Sequence, residues 1–501
     1  MSEPTARVTL KPHARMDLTQ GPIARTLLMF SLPVLGSGVL QSLNGSINAL
    51  WVGRLIGAEA LTATTNANLI LIFLLGALFG VGMAGSILVG QAVGAKDLTR
   101  AKKVVGTTAS FFLATALAIA IVGLALSEHM LRWMQTPEEA LPMAEAYLRV
   151  IFLAMPFLFF FAFLVMVQRG AGDVKTPFRF MTLATLLDIA LNPLLIAGVG
   201  PFPRLGIAGA ATAMLLAQGT GMTAMLGYLY WRKADLRLTR SELHYLKPDV
   251  ELLRTIVVKG LPMGAQMLVI SSSALVMMTM INAYGAETAA AYGVVTQFWA
   301  YLQMPAMAIG AGVSAMAAQN VGAGRWARVE ESARAGVLIN VALTGSAALA
   351  LILIDGSIVD LFLPGRANAV ATAEHVNTIA AWSFILFGVT FVLFGVVRST
   401  GAVTPPLLIL LFSLWGVRIG FAKLFEPSLG QDAIWWSFPV SMMVSAALAL
   451  AYYRWGGWRT ARMGSPAREA PSTSIGAPAV DAAVINEEAP ELMAEAPVKA
   501  T

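Results

Sequence analysis

Long apolar runs separated by short charged clusters dominate this sequence. The first run, Thr26 to Gly53, has no charged residue over 28 positions, and about 20 apolar residues suffice to cross a bilayer. None of the runs shows the alternation of a transmembrane strand, and a spanning helix satisfies its own backbone hydrogen bonds. We therefore predict twelve membrane-spanning helices, near residues 26–52, 61–94, 104–126, 148–168, 179–199, 206–231, 256–283, 288–323, 335–354, 376–397, 404–425 and 433–453.

Composition supports a membrane protein and excludes several other classes. The 501 residues are 57% hydrophobic and only 12% charged, with a mean hydropathy of +0.71, whereas soluble domains carry about 25% charged residues. Soluble enzymes, nucleic-acid binders and disordered scaffolds do not have this composition. The chain has no cysteine, which excludes disulfides and thiolate chemistry.

The basic residues test the number of spans. With the N-terminus in the cytoplasm, alternate loops place 27 of the 34 Lys and Arg residues on the inner side and 6 outside, while Arg418 lies within a span. The positive-inside rule expects this bias. We therefore expect a multi-pass protein of a bacterial-type inner (plasma) membrane with both termini in the cytoplasm.

The sequence contains an internal duplication. Residues 90–95 (GQAVGA) match residues 318–323 (AQNVGA) at an offset of 228, and Pro33 matches Pro262 at an offset of 229. Six spans per half give both halves the same orientation, a plan typical of transporters that rock around a central site.

These patterns predict an all-α fold with two pseudo-symmetric six-helix bundles. We expect a cytoplasmic N-terminal tail, an N-terminal six-helix lobe, a basic cytoplasmic linker, a C-terminal six-helix lobe and a disordered cytoplasmic tail, at residues 1–24, 25–231, 232–255, 256–458 and 459–501, respectively.

Several motifs resemble those of the multidrug and toxic compound extrusion (MATE) family. The resemblance covers about residues 20–458 and is carried by six segments: LWVGR at 50–54, GQAVGAKD at 90–97, RGAGDVKTP at 169–177, AQNVGAGRW at 318–326, RSTGAVTPP at 398–406 and WGVRI at 415–419.

The resemblance implies a secondary antiporter that exports amphipathic, cationic drugs or toxic metabolites in exchange for inward H+ or Na+. The sequence departs from the family pattern at two places. Asn48 stands where the family usually has an aspartate, and Asp188 and Asn192 exchange the usual order of amide and acid before Pro193. The alternative is a lipid-linked precursor flippase of related fold, although few intramembrane cations beyond Arg418 are present to bind phosphate.

Asp188 is the only acid that we place deep within a span. Insertion scales put a charged carboxylate at the membrane centre at about 2.5–3.5 kcal/mol, so such residues usually serve function. Asn192 shares its helix face, and span 1 carries a polar stripe of Asn44 and Asn48. We predict that these four residues couple transport to the ion, with Na+ binding at Asp188 as an alternative to a proton.

Other polar and aromatic residues are candidates for substrate binding or gating. Aromatic faces attract organic cations, and proline interrupts helices. We predict substrate contacts from Ser37, Gln41, Gln266, Gln297, Trp299 and Tyr301, and gating or structural roles for Arg418, Pro33 and Pro262.

The chain has no Walker loop and no cluster of His, Cys or carboxylate residues within the spans. We therefore expect a transporter, not an enzyme, with no cofactor and no resident metal. Its predicted partners are the lipid bilayer and an organic cation or drug-like small molecule. We expect no binding to nucleic acid, and we expect a monomer.

Overall fold

A computed structural model describes residues 16–133, 136–362 and 365–463. These residues form helices and contain no strand. The helices are α1 (Ile23–Leu55), α2 (Ala58–Gly94), α3 (Leu98–Trp133), α4 (Leu141–Gly170), α5 (Lys175–Ala197), α6 (Ile207–Trp231), α7 (Val250–Asn282), α8 (Ala286–Gly322), α9 (Trp326–Phe362), α10 (Ala367–Ala380), α11 (Phe384–Thr400), α12 (Thr404–Leu411), α13 (Gly420–Leu429) and α14 (Asp432–Trp455).

These helices make twelve passes, as the apolar runs predict. A 3-10 turn, Ala381–Ser383, joins α10 to α11, and a π-helical segment, Phe412–Ile419, joins α12 to α13, so each pair forms one pass. Within the described residues, nine passes meet a strict criterion of length and hydropathy, and α2 adds the apolar segment Leu78–Gly94. The all-α polytopic fold is confirmed.

Several helices are longer than the bilayer requires. Helices α2, α8 and α9 each contain 37 residues, or roughly 55 Å at 1.5 Å per residue. The hydrocarbon core is about 30 Å thick. The helices therefore extend beyond the apolar layer, where the charged loops lie.

Each half of the chain supplies most of one large buried cluster, and a third cluster joins α1 to α8, α9 and α11. Helices α2, α3, α4, α5 and α6 surround one large buried cluster, in which Phe112, Phe159 and Phe163 are almost fully buried. A second cluster joins α8, α10, α11 and α14 around Trp299 and Trp435. The predicted pair of six-helix bundles is therefore present.

The two halves meet at the end of the molecule where α2 and α8 terminate. Gly94 of α2 lies against the backbone of Gln319, and Gly322 of α8 lies against the backbone of Gln91. A Cβ atom at either glycine would overlap the opposite helix. The duplicated motif therefore forms a symmetric close contact between the halves.

Side-chain hydrogen bonds reinforce this contact. The Gln91 Nε2 atom donates to the Ser399 carbonyl at 2.7 Å, and the Gln319 Nε2 atom donates to the Gly170 carbonyl at 3.0 Å. Gly170 and Ser399 are equivalent at the repeat offset of 229. Each half thus binds the loop motif of the other. We call this end of the molecule, at Gln91, Gly170, Gln319 and Ser399, the basic end.

The segment before α1 packs on the basic end. The Met16 amide donates to the Gly172 carbonyl at 3.2 Å, the Leu18 amide donates to Gln319 Oε1 at 3.3 Å, and Asn320 Nδ2 donates to the Leu18 carbonyl at 3.1 Å. Leu18 is fully buried. The last residues of the predicted N-terminal tail therefore bridge both halves, whereas residues 1–15 lie outside the described residues.

The predicted linker is attached to α3. Lys102 forms an ion pair with Glu242 at 2.7 Å, and the Asp249 amide donates to Thr107 Oγ1 at 3.3 Å. Helix α7 begins at Val250, inside the range 232–255 that we assign to the linker, because Asp249 caps it by accepting from the Leu252 amide.

The segment after α14 stays packed for several residues. Trp458 and Met463 are buried, and Arg459 forms an ion pair with Glu330 of α9 at 2.8 Å. The tail that we predict as disordered from residue 459 therefore starts with an ordered turn, which buried aromatic contacts stabilise. Residues 464–501 of this prediction lie outside the described residues.

Candidate functional site

Asp188 and three asparagines form one buried polar cluster between α1 and α5. The Nδ2 atoms of Asn44 and Asn48 each donate to Asp188 Oδ2 at 2.7 Å. Asn192 donates from Nδ2 to Asn48 Oδ1 at 3.0 Å. Asp188 is 2% exposed and Asn192 is fully buried. The structure thus brings together the four residues that the sequence proposes for ion coupling.

Three oxygen atoms of this cluster have no hydrogen-bond donor. They are Asp188 Oδ1, Asn44 Oδ1 and Asn192 Oδ1, and all three are buried. A buried polar atom without a partner carries a free-energy cost of about 1–3 kcal/mol. A proton on Asp188 would supply a donor, and a small cation would bind the oxygens directly.

The cluster is built for amide and carboxylate oxygens rather than for a transition metal. Within the part of the chain that the structure describes, no three His, Cys, Asp or Glu side chains come together. Any ion held here would therefore have Asp188 as its one carboxylate ligand and asparagine amides as the others. Hard cations such as Na+ and H+ suit such oxygen ligands.

The two residues of α1 that we predict to contact substrate, Ser37 and Gln41, differ in exposure. Ser37 is buried and donates from Oγ to the Pro33 carbonyl at 2.8 Å. Gln41 is exposed. Gln41 is therefore free to contact a ligand, whereas the Ser37 hydroxyl already serves the helix that contains Pro33. Their substrate role stays a prediction.

The candidates on α8 occupy two environments. Trp299 is 3% exposed, and its Nε1 atom donates to Asn377 Oδ1 at 3.0 Å. Tyr301 is 41% exposed and accepts at its hydroxyl from Gln297 Nε2 at 3.4 Å. Trp299 thus faces the interior of the C-terminal half, and Gln297 and Tyr301 face away from it.

Gln266 lies apart from the other substrate candidates. Its Oε1 atom accepts from Arg398 Nη1 at 3.1 Å, and its Nε2 atom donates to the Val403 carbonyl at 3.4 Å. Arg398 is buried and also donates to the Phe394 carbonyl. Both polar groups of Gln266 therefore connect α7 to the loop after α11.

Arg418 lies inside the C-terminal half, on the π-helical segment. It is 6% exposed, donates from Nε to Ser441 Oγ at 3.0 Å, and stands 4.6 Å from the ring centre of Phe438. The two prolines predicted to gate or shape helices, Pro33 and Pro262, lie inside α1 and α7 at equivalent positions.

Three aromatic partners of these sites are missing from the sequence analysis. Tyr147 of α4 is 8% exposed and lies within electrostatic reach of Asp188. Phe384 and Phe438 contact Trp299, with ring centres 5.3 and 4.9 Å apart. These residues sit in apolar runs and carry no local signal, because only the packing of distant helices brings them to the sites.

Comparison with known proteins places this fold and these motifs in one family. A family model described as MatE matches residues 33–194 and again residues 262–424, so it matches both copies of the internal repeat. The chain is 34% identical over 446 residues to the probable multidrug resistance protein YoeA of Bacillus subtilis, covering 89% of this chain and 96% of that protein. It is 33% identical to the probable multidrug resistance protein YpnP of the same organism, over 89% and 98% of the two chains.

Solved structures share the fold. A crystal structure of a MATE protein in complex with MaL6 superposes with a TM-score of 0.80 at 20% identity, covering 87% of this chain and 97% of that one. The relatives named as multidrug resistance proteins do not favour the flippase alternative. The repeated family match, the similarity over nearly the whole length and the twelve-pass fold lead to one conclusion: this chain belongs to the MATE family of multidrug efflux transporters and is not an enzyme.

Proposed function

We propose that this chain is a secondary antiporter of the inner membrane that exports amphipathic, cationic drugs or toxic metabolites in exchange for inward H+ or Na+. The observation that supports the proposal most strongly is the buried cluster around Asp188. The carboxylate accepts two amide hydrogen bonds, and no ion pair of Asp188 is present among the described residues.

A single buried carboxylate supports exchange by competition. With its charge uncompensated in a low-dielectric interior, Asp188 is more stable when it binds a proton or another cation. A proton and a cationic substrate would then occupy the site alternately. Release of one would prepare the site for the other, which is the requirement for antiport.

The same oxygens also fit a sodium ion. Asp188 Oδ1, Asn44 Oδ1 and Asn192 Oδ1 are unpartnered and belong to one hydrogen-bonded cluster. Three oxygens are fewer than the six or more that hard cations usually take. This shortfall favours the proton, with Na+ as the alternative.

The arrangement of the halves supports rocking about a central site. Described contacts between them include the basic end, where α2 meets α8 and residues 16–20 bridge the halves, and continue along α2 and α7, where Gly80 lies against the backbone of Gly260 and Gly264. We propose that this end lies in the cytoplasm, with both termini, and that transport requires it to open. We propose that a monomer suffices, since each half already packs on the other within one chain.

The test uses purified protein in liposomes loaded with rhodamine 123, a cationic dye. An imposed pH gradient and an imposed Na+ gradient, applied separately, identify the coupling ion. We expect the pH gradient to drive dye movement by the wild type, and we expect Asp188→Asn to abolish it. Asp360→Asn, the same substitution at an exposed position near the end of α9, serves as the matched control.

Two results would count against the proposal. Unchanged proton-driven export by Asp188→Asn would remove Asp188 as the coupling residue. Dye movement that neither gradient drives in the wild type would remove ion-coupled antiport. If only the Na+ gradient drives export and Asp188→Asn abolishes it, the coupling ion is sodium and the site assignment stands.

A further inference from the structure

Arg418 is a buried cation whose interactions are incomplete. Its Nε atom bonds to Ser441 and its guanidinium lies over Phe438, but its Nη2 atom is buried and has no hydrogen-bond partner. No ion pair of Arg418 occurs within residues 16–133, 136–362 and 365–463. An intramembrane cation of this kind needs a counter-charge.

By helical spacing, two further serines fall on the helix faces that carry Arg418 and its partner Ser441. The Oγ atoms of Ser413 and Ser445 are buried and make no hydrogen bond. Ser445 lies one turn beyond Ser441 on α14, on the same helix face. Ser413 precedes Arg418 by five residues, which is the hydrogen-bond spacing of a π-helix. A guanidinium can only donate hydrogen bonds and a serine hydroxyl can donate one, so an acceptor would satisfy all three groups.

Aromatic side chains surround Phe438, the ring that Arg418 contacts. The ring centre of Phe438, which lies under Arg418, is 4.9 Å from Trp299 and 6.2 Å from Tyr292. Tyr292 stacks on Trp435 at 6.0 Å. A guanidinium fork beside an aromatic wall has the chemistry to bind a carboxylate attached to an aromatic body, through charge-assisted hydrogen bonds and ring contacts.

Arg418, on the π-helical segment, lies within one residue of the position that Asp188 has in the other half. Helix α5 begins at Lys175 and α12 at Thr404, an offset of 229. The family match ends at residues 194 and 424, an offset of 230, one residue more than the offset at the helix starts. At this offset, Asp188 and Arg418 are equivalent. The duplicated passes therefore carry opposite charges at corresponding sites.

We propose that Arg418, Ser413 and Ser445 form an anion site in the C-terminal half, which binds the carboxylate of an aromatic, amphipathic substrate. This proposal rests on the proposed function, and it assigns the carboxylate end of such a substrate to the C-terminal half. The unpartnered atoms around Asp188 are acceptors, and those around Arg418 are donors. A molecule with an amine and a carboxylate has a complementary group for each half.

The experiment compares two dyes that differ in one group. Rhodamine 110 carries a free carboxylate, and rhodamine 123 is its methyl ester. We expect purified wild-type protein in detergent to bind rhodamine 110 more tightly by roughly tenfold or more, as a charge-assisted hydrogen bond predicts. Fluorescence anisotropy measures both dissociation constants. In Arg418→Gln we expect the ratio of the two constants to fall to about 1.

Control variants separate a binding role from a structural one. Arg366→Gln replaces an exposed arginine before α10 and should keep the wild-type ratio. Arg418→Lys keeps the charge without the planar fork and should retain part of the preference. Ser445→Ala should weaken rhodamine 110 binding and leave rhodamine 123 binding unchanged.

Three outcomes would overturn the anion site. The first is equal binding of the two dyes by the wild type. The second is an Arg418→Gln variant that loses both dyes alike, since that result indicates a purely structural role. The third is displacement of rhodamine 110 by chloride but not by benzoate, because the site would then hold an inorganic ion.

The binding assay also stays independent of the antiport proposal. No ion gradient is present in detergent, so the preference for rhodamine 110 can be measured even if coupled export fails. Asp188→Asn should keep the wild-type dye ratio while it abolishes gradient-driven export. Loss of the ratio in Arg418→Gln with intact rhodamine 123 export would support the anion site alone.

Discussion

At the scale of single residues, Asn48 is the central connection of the Asp188 cluster. It donates to Asp188 Oδ2 and accepts from Asn192, so it links the acid to the second asparagine of α5. It also stands where the family usually has its own acid. In this cluster the one acid therefore lies on α5, and α1 contributes amides that donate to it.

Replacement of Asn48 by alanine tests this connection. Asn48→Ala removes a donor to a buried carboxylate, a hydrogen bond worth about 1.5–3 kcal/mol. Since 1.4 kcal/mol is tenfold in an equilibrium constant, we expect gradient-driven dye export to fall roughly tenfold or more. Asn368→Ala, at an exposed position of α10, should export at the wild-type rate. Undiminished export by Asn48→Ala would contradict a role of this asparagine in coupling.

The sequence predicts part of these sites and misses the rest for a physical reason. Helical spacing places Asp188 and Asn192 on one face, and the stripe on α1 supplies their partners. Spacing cannot show that Gln266 binds Arg398 at the basic end, because the two residues are 132 positions apart and meet only through the packing of α7 against the end of α11. Tyr147 is hidden from sequence analysis in the same way.

At the scale of elements, apolar length predicts the helices well, but local irregularities escape it. The 3-10 turn at Ala381–Ser383 and the π-helical segment at Phe412–Ile419 lie inside continuous apolar runs. The hydropathy of a segment does not distinguish an α-helix from a 3-10 or a π-helix. The hydropathy of these runs therefore predicts the passes but gives no sign of the 3-10 and π-helical turns within them.

The linker element has a pH-dependent attachment. The hydrogen bond from Lys102, together with the Thr239 amide and hydroxyl, lowers the pKa of Glu242 to about 2. A carboxyl whose pKa falls on folding stabilises the folded form above its ordinary value of 4.5, and this contribution disappears as the pH falls through about 2. The attachment of residues 240–249 to α3 should weaken over this acidic range.

Hydrogen exchange of this segment gives the measurement. At pH 7, Glu242→Gln should exchange faster than the wild type over residues 240–249. The difference should shrink between pH 4.5 and about 2, as Glu242 becomes protonated in the wild type. Glu251→Gln, an exposed position in the first turn of α7, should match the wild type throughout. A difference that is constant down to pH 2 would show that Glu242 acts without its charge.

At the scale of the whole molecule, contacts at the basic end hold the two halves together. The duplicated motifs place glycines where helix backbones touch, and glutamines bond across the interface. Rocking about a central site requires these contacts to break and re-form. A covalent connection at this point should therefore stop transport without disturbing either half.

A cysteine pair can make that connection in a chain that has no cysteine of its own. A Cβ atom at Gly90 would lie 3.1 Å from the Ala318 Cβ atom, a few tenths of an ångström below the usual Cβ–Cβ range of a disulfide, about 3.5–4.5 Å. We expect Gly90→Cys with Ala318→Cys to lose dye export on oxidation and to recover it on reduction. Dye export by each single-cysteine variant should be unchanged by the oxidant. Full export by the cross-linked protein would show that the basic end stays closed during transport.

The attachment of the linker to α3 means that this segment is more than a flexible connection between the halves. Lys102, Thr107 and Ser110 hold the linker through Glu242, Asp249 and Leu246, so most of its length travels with the N-terminal half. The chain could be cut at the turn after α6, where Lys233 has a φ of 54°. The linker would then belong to the C-terminal fragment and would bind α3 of the N-terminal fragment. Two separately synthesised polypeptides would then assemble through the same interface as the continuous chain. The two halves could therefore work as the products of two separate genes.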